Sequence, residues 1–203
     1  MKMPNVGFIV ALHAEVPFIF RETSIVHQLH DHSIKVAISG MGQKRAGKTT
    51  ISLCENKENF FPDYLINLGF CGAVKDELNI GDFIIANRLS YNNQEIQLKN
   101  MYIYKAIEVF QRSSHYLGKI QTFDWPVFSR NRVCEDTLAV DMESFAIGET
   151  SMTYQMPIIV IKVVSDIVPK KASVKNLSHQ VKSIIKNKRH VQSQINEFVK
   201  HYF

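Results

Sequence analysis

Five short runs of β-branched and aromatic residues punctuate the chain, at 6–12, 34–38, 64–68, 83–86 and 158–164. Between several of them lie longer segments in which apolar residues recur every three or four positions, at 43–57, 101–111, 142–154 and about 177–202. The first pattern predicts strands and the second predicts helices. Their alternation predicts an α/β fold, because a sheet flanked by connecting helices buries both of its faces. The run Ile158-Ile-Val-Ile-Lys-Val-Val164 is nearly unbroken β-branched sequence, as expected of a strand covered on both sides, and it is predicted to be central in a mostly parallel sheet. In the last helical segment Leu177, Val181, Ile184, Ile185, Val191, Ile195 and Phe198 form one apolar stripe, and the lysines fall largely on the opposite face. No internal repeat, low-complexity block or linker interrupts residues 1–203, so one domain is expected.

Composition narrows the class. With 203 residues, 45% of them hydrophobic and 21% charged, the chain is long enough to bury one sizeable core. Its longest apolar runs are far shorter than the roughly 20 residues that span a bilayer, so no membrane association is expected. The start, MKMPNVGFIVALHAEV, runs directly into apolar residues with no small-residue cleavage site, and reads as a first core strand, not a signal peptide. Cys54, Cys71 and Cys134 are odd in number and lack C-x-x-C spacing, which points to neither disulfide framework nor zinc ribbon and fits a reducing cytoplasm. The net charge of +5 would suit nucleic acid, but much of the excess lies between Lys170 and Arg189. That segment reads as the solvated face of the last helix, and no nucleic-acid partner is expected.

In sheets of this kind ligands bind beyond the carboxyl ends of the strands. The residues following the apolar runs are His13-Ala-Glu15, Ser39-Gly-Met-Gly42, Gly69-Phe-Cys-Gly72 and Ser165-Asp166, and Asp141-Met-Glu143 stands where another apolar stretch meets a helix. The two glycine-bearing turns have two readings: backbone amides open to an anion or a hydroxyl-rich ligand, or plain strand-to-helix turns. Ser39-Gly-Met-Gly42 is not a dinucleotide fingerprint, since Arg45 holds the third glycine position. Glu15, Glu143 and Asp166 would each pass singly for a helix cap or a surface acid. Together they suit glycosidic cleavage, which needs a placed nucleophile, stabilisation of an oxocarbenium-like sugar and an acid for the leaving group. His27, His30 and His32 do not share one strand face, and they read as surface histidines without a metal. Ser39, Ser165 and Cys71 lack the signatures of catalytic nucleophiles. No cofactor is called for.

Read in order, these segments resemble the purine nucleoside phosphorylase superfamily, most closely its branch of methylthioadenosine/S-adenosylhomocysteine nucleosidases. Gly7-Phe-Ile-Val-Ala-Leu-His-Ala-Glu-Val16 is similar to that family's first strand and acidic turn, and Ser39-Gly-Met-Gly42 to its S-G-[IM]-G turn. Ile66-Asn-Leu-Gly-Phe-Cys-Gly-Ala73 with Leu78-Asn-Ile-Gly-Asp82 is similar to the signature loop, Val140-Asp-Met-Glu-Ser144 to V-[ED]-M-E, and Val164-Ser-Asp166 to [IV]-S-D. The resemblance implies a single-domain, three-layer α/β/α fold with a central, mostly parallel mixed sheet. It implies that Glu143 holds the ribose 2′ and 3′ hydroxyls with Met142 packed on the sugar, that Asp166 donates a proton to purine N7, and that Glu15 orients or deprotonates water. Gly72 and the backbone at Val127 would line the base. It further implies a homo-oligomer, most simply a two-fold dimer, acting on a purine nucleoside with water or phosphate as co-substrate. The sequence departs from the nucleosidases at Phe70, where they carry a small hydroxyl residue, and between Tyr91 and Gly118, where it is shorter. It also has Pro126, flanked by Trp125 and near Phe128, where they stack an aromatic residue on adenine. Two alternatives to hydrolysis are a phosphorylase using Lys44, Arg45 or Arg88, and a non-catalytic relative that only binds purine nucleosides.

Overall fold

A computed structural model describes residues 4–20, 26–55, 60–99, 101–109 and 114–203. The strands are β1 (Asn5–Val10), β2 (Val26–Leu29), β3 (His32–Ile38), β4 (Tyr64–Ala73), β5 (Phe83–Tyr91), β6 (Gln94–Gln97), β7 (His115–Thr122), β8 (Thr137–Asp141) and β9 (Ile158–Ile167). The helices are α1 (Gln43–Cys54), α2 (Met101–Val109), α3 (Ser144–Thr153) and α4 (Val174–Tyr202). The predicted helix ends at 56–57 and 110–111 lie outside the described residues. Helices α1 and α3 pack together on one side of the sheet and α2 and α4 on the other, the expected three layers.

The sheet is mixed. β1 runs parallel to β3 and β4, β4 parallel to β9, and β7 parallel to both β5 and β8. β5 is antiparallel to β9, and the carboxyl end of β4 is antiparallel to β8. Strands β4, β9, β5, β7 and β8 therefore form a closed ring, which leaves their shared rim without a free edge. β2 and β6 are antiparallel additions at the margins. Both are four residues long and mostly solvent-facing, so they carry none of the apolar periodicity that marks a buried strand. β7 and β8 escape the pattern for a related reason, having polar residues such as Lys119, Gln121, Thr122 and Thr137 buried within them.

Three expectations need correction. Gly69 to Gly72 and Ser165-Asp166 lie inside β4 and β9, not in turns beyond them. Backbone pairing between these two strands and with β8 continues past the apolar runs, so the strands run on into polar sequence. The apolar stripe of α4 is buried only in its second half, at Val191, Ile195, Phe198 and Val199; Val181, Ile184 and Ile185 are exposed and polar Gln180 is buried instead. The Leu177 side chain lies outside the described residues. Finally, His32 is not a surface residue. It is buried with its ring edge-on to Phe203, and its Nδ1 lies 2.6 Å from Asp31 Oδ1.

Candidate active site

The ring of strands opens at one end onto a cavity of about 270 Å³, and all six residues singled out in the sequence line it: Glu15, Gly72, Val127, Met142, Glu143 and Asp166. Glu15 sits in a short 3-10 turn after β1, His13–Glu15. Its Oε2 accepts from the backbone amides of Ala11 (2.7 Å) and Leu12 (2.8 Å), and its Oε1 from that of Phe70 (2.8 Å). A carboxylate offers about four acceptor positions, so Oε1 keeps one. The approach of β4 is close here, since a Cβ on Gly69 would stand 2.8 Å from Glu15 Oε1. Burial raises the Glu15 pKa; the Lys162 ammonium and the three amides oppose that rise.

Glu143 caps α3, and its Oε1 accepts from the amide of Gly42 at 2.8 Å. Gly42, at φ +94°, precedes α1, so an amide at a helix start serves a carboxylate of the protein itself, as the helix dipole favours. Burial, and then the neighbouring Asp141, push the Glu143 pKa up to about 7, with Lys162 and Gly42 pulling the other way.

Asp166 is aimed by a break in register. Cys71 pairs with Val164 but Gly72 pairs with Asp166, leaving Ser165 as an extra residue, a bulge of the kind that redirects side chains. Ser165 Oγ donates to Asp166 Oδ1 (2.8 Å), and Gln180 Nε2, from α4, donates to Oδ2 (2.7 Å). Burial raises the Asp166 pKa against these two neutral donors. Gly72 is required by close approach: a Cβ there would lie 2.9 Å from Val168 Cγ2 and 3.3 Å from Asp166 Oδ2.

Sequence reasoning missed one charged member of the cluster and the bond it makes to Asp141. Lys162 is 1% exposed in the middle of β9, with Nζ 3.0 Å from Asp141 Oδ2. Asp141 also accepts from Thr122 Oγ1 (2.7 Å), the Ser144 amide (3.0 Å) and the Ser144 hydroxyl. Burial acts against the ammonium, yet Asp141, Glu143 and Glu15 together hold the Lys162 pKa above its ordinary value. The available signal was the lone lysine in an otherwise apolar run, since a buried cation demands partners. Gln180 was also missed. It gave no signal, being one polar residue on a helix read as amphipathic.

Phe70 and Cys71 line the cavity, as do Trp125, Pro126 and Phe128, of which Trp125 is 80% exposed. Lys44, Arg45 and Arg88 do not line it. Arg45 lies over Gly40, and Arg88 pairs with Asp136 and Glu95. The family model of the phosphorylase superfamily matches residues 3–203.

The chain belongs to the phosphorylase superfamily.

Within it, the chain is similar to a 5′-methylthioadenosine/S-adenosylhomocysteine nucleosidase of Staphylococcus aureus, 25% identical over 230 aligned positions that cover 95% of this chain and 99% of the relative. Among solved structures it resembles S-adenosylhomocysteine nucleosidase of Streptococcus pyogenes in complex with 5-methylthiotubericidin (TM-score 0.81, 19% identity, covering 100% of this chain and 97% of that one). It also resembles futalosine hydrolase of Helicobacter pylori (TM-score 0.82, 18% identity, 98% and 97%). These structural likenesses show that the fold is shared along nearly the whole chain. Among the described residues, no helix is long and apolar enough to cross a membrane.

Proposed function

We propose that this protein hydrolyses the N-glycosidic bond of an adenine-type nucleoside. The observation that carries the reading is the meeting of Glu15, Glu143 and Asp166 on one cavity, each held by fixed donors from the protein. Glu15, with one acceptor position left on Oε1, orients the attacking water and takes its proton; its raised pKa suits a general base. Glu143 accepts from the ribose hydroxyls beside Met142, contacts that strengthen as positive charge develops on the sugar. Asp166, whose pKa burial raises, protonates N7 so that the base departs neutral. Gly72 and the Val127 backbone border the base. The nucleosidase relatives are consistent with this chemistry.

Water is the better co-substrate than phosphate on electrostatic grounds. Glu15, Asp141, Glu143 and Asp166 border the cavity. Lys162, the cation beside them, is already bound to Asp141. An oxyanion entering there meets more negative than positive charge, whereas phosphate sites are built from arginines and lysines. A two-fold dimer accompanies this reading, with exposed Phe18, Ile19, Phe61 and Trp125 as apolar surface for it. The cysteines Cys54, Cys71 and Cys134 are free, in keeping with a reducing cytoplasmic setting.

The test is adenine release from methylthioadenosine, S-adenosylhomocysteine and adenosine, with and without phosphate. Release is expected without phosphate and is expected to fall about 10²–10⁴-fold in Asp166→Asn, the range of a lost general acid. A strict phosphate requirement would replace hydrolysis by phosphorolysis. A wild type that binds adenine but releases none would make the protein a binding relative.

A further inference from the structure

Gln180 reaches into the cavity from the exposed first half of α4. Its Nε2 donates to Asp166 Oδ2 at 2.7 Å and also to the Val127 carbonyl at 3.0 Å. Both partners are acceptors, which fixes the amide with its nitrogen towards them. In the reading above, Asp166 and the Val127 backbone face the leaving base. A purine with an exocyclic amino group beside N7 offers the same pattern, two N–H bonds on one planar nitrogen. The carboxamide and the base edge cannot hold the same two acceptors at once.

Resting on that assignment of the base site, we infer that Gln180 is an internal stand-in for the amino edge of the purine, seated when the site is empty and displaced when the base enters. Two further observations support it. The Gln180 side chain is buried, yet its Oε1 has no hydrogen-bond partner among the described residues. Its seat is therefore only half satisfied, and a buried carbonyl without a donor favours departure once another group can take the place. The surrounding turns of α4 are also weakly anchored. Val181, Ile184 and Ile185 are exposed, whereas Val191, Ile195 and Phe198 fix the other half of the helix in the core.

Displacement links two events. The apparent affinity for the base is lowered by the fraction of molecules in which Gln180 is seated. As Gln180 leaves, Asp166 loses a donor that favours its carboxylate form, at the moment the proposed reaction needs the acid. Gln180 thus acts on Asp166 in the empty site and is not a catalytic residue.

The experiment is calorimetric titration of adenine into wild type and Gln180→Met, a change that keeps volume and removes the donor. About a tenfold lower Kd is expected in the variant, together with a lower thermal midpoint for the empty protein, because the seated contacts are gone. Equal or weaker adenine binding by a folded variant overturns the stand-in and leaves the base site intact. A second readout needs no variant: in the wild type labelled at glutamine side-chain nitrogen, saturation with adenine is expected to shift the Gln180 amide resonances and speed their exchange with solvent. Unchanged resonances at saturation overturn the proposal. A wild type that fails to bind adenine at all overturns the assignment of the base site, and the stand-in falls with it.

Discussion

The two ends of the cavity solve the same problem, a buried carboxylate, with different partners. At the Lys162 end, Glu15 and Glu143 are held by backbone amides, and burial raises both pKa values against the opposing pull of an ammonium buried in β9. At the Gln180 end, Asp166 has only neutral donors, Ser165 and Gln180, to oppose the same rise. A countercharge favours the anionic form of a buried carboxylate, whereas neutral donors oppose burial less and leave it readier to hold a proton. In the proposed reaction identical functional groups are divided between the role of base and the role of acid by their neighbours, the pattern expected wherever one site runs both. The division matches the proposed chemistry, with water activated at one end and the base protonated at the other.

The sharpest way to break this contrast is to remove the cation. Lys162→Met leaves Asp141, Glu143 and Glu15 buried without their countercharge. It is expected to destabilise the protein by about 3–5 kcal/mol, the range for breaking a buried ion pair by deleting one partner, read as a lower urea midpoint at neutral pH. A loss below about 1 kcal/mol, the range of an exposed ion pair, would mean that the ammonium is not what holds that end together. Gly72→Ala acts on the other end. Its Cβ would meet Val168 Cγ2 at 2.9 Å and crowd Asp166, so a destabilisation of about 1–3 kcal/mol is expected from overpacking. Release of adenine should fall at the same time, because Asp166 is pushed off its bulge-defined position. Unfolding curves and the release assay on one preparation check both.

The smallest expected effect is one of slope. The folded-state pKa of Glu143 is raised from 4.5 to about 7, so folding favours its protonated form. Its contribution is present in full below pH 4.5 and is lost as pH rises through about 7. Glu143→Gln keeps an oxygen for the Gly42 amide and removes the titration. The variant should therefore gain stability relative to wild type between pH 5 and pH 8, as measured by urea midpoints across that range. A difference that stays constant with pH would place the Glu143 titration outside this window.

Much of this site was legible in the chain because its parts are local. Glu15 lies four residues from Ala11 and three from Leu12, whose amides bind it, and the cluster Asp141-Met-Glu143 lies next to the helix that it starts. Segments bearing Glu15, Glu143 and Asp166 could be recognised one at a time, and the resemblance supplied their order. What lay hidden has long-range causes. Lys162 finds Asp141 across the ring of strands, Phe70 reaches Glu15 over 55 residues of chain, and Gly42 reaches Glu143 over 101. The extended strand ends had the same origin, since β4 and β9 continue on each other's hydrogen bonds, with β8 also pairing the end of β4.

The sequence by itself determined the alternation of strands and helices, the buried central strand, the absence of any long apolar span and the set of acidic residues near strand ends. Each of these follows from short-range periodicity and residue chemistry. Only the tertiary structure decided which carboxylate has a cation beside it, which has neutral donors, and that the bulge at Ser165 aims Asp166 towards Gln180. Those relations depend on distances of a few ångströms between residues far apart in the chain, and a side chain's charge state follows from such distances and from its exclusion from water, neither of which is encoded in local sequence.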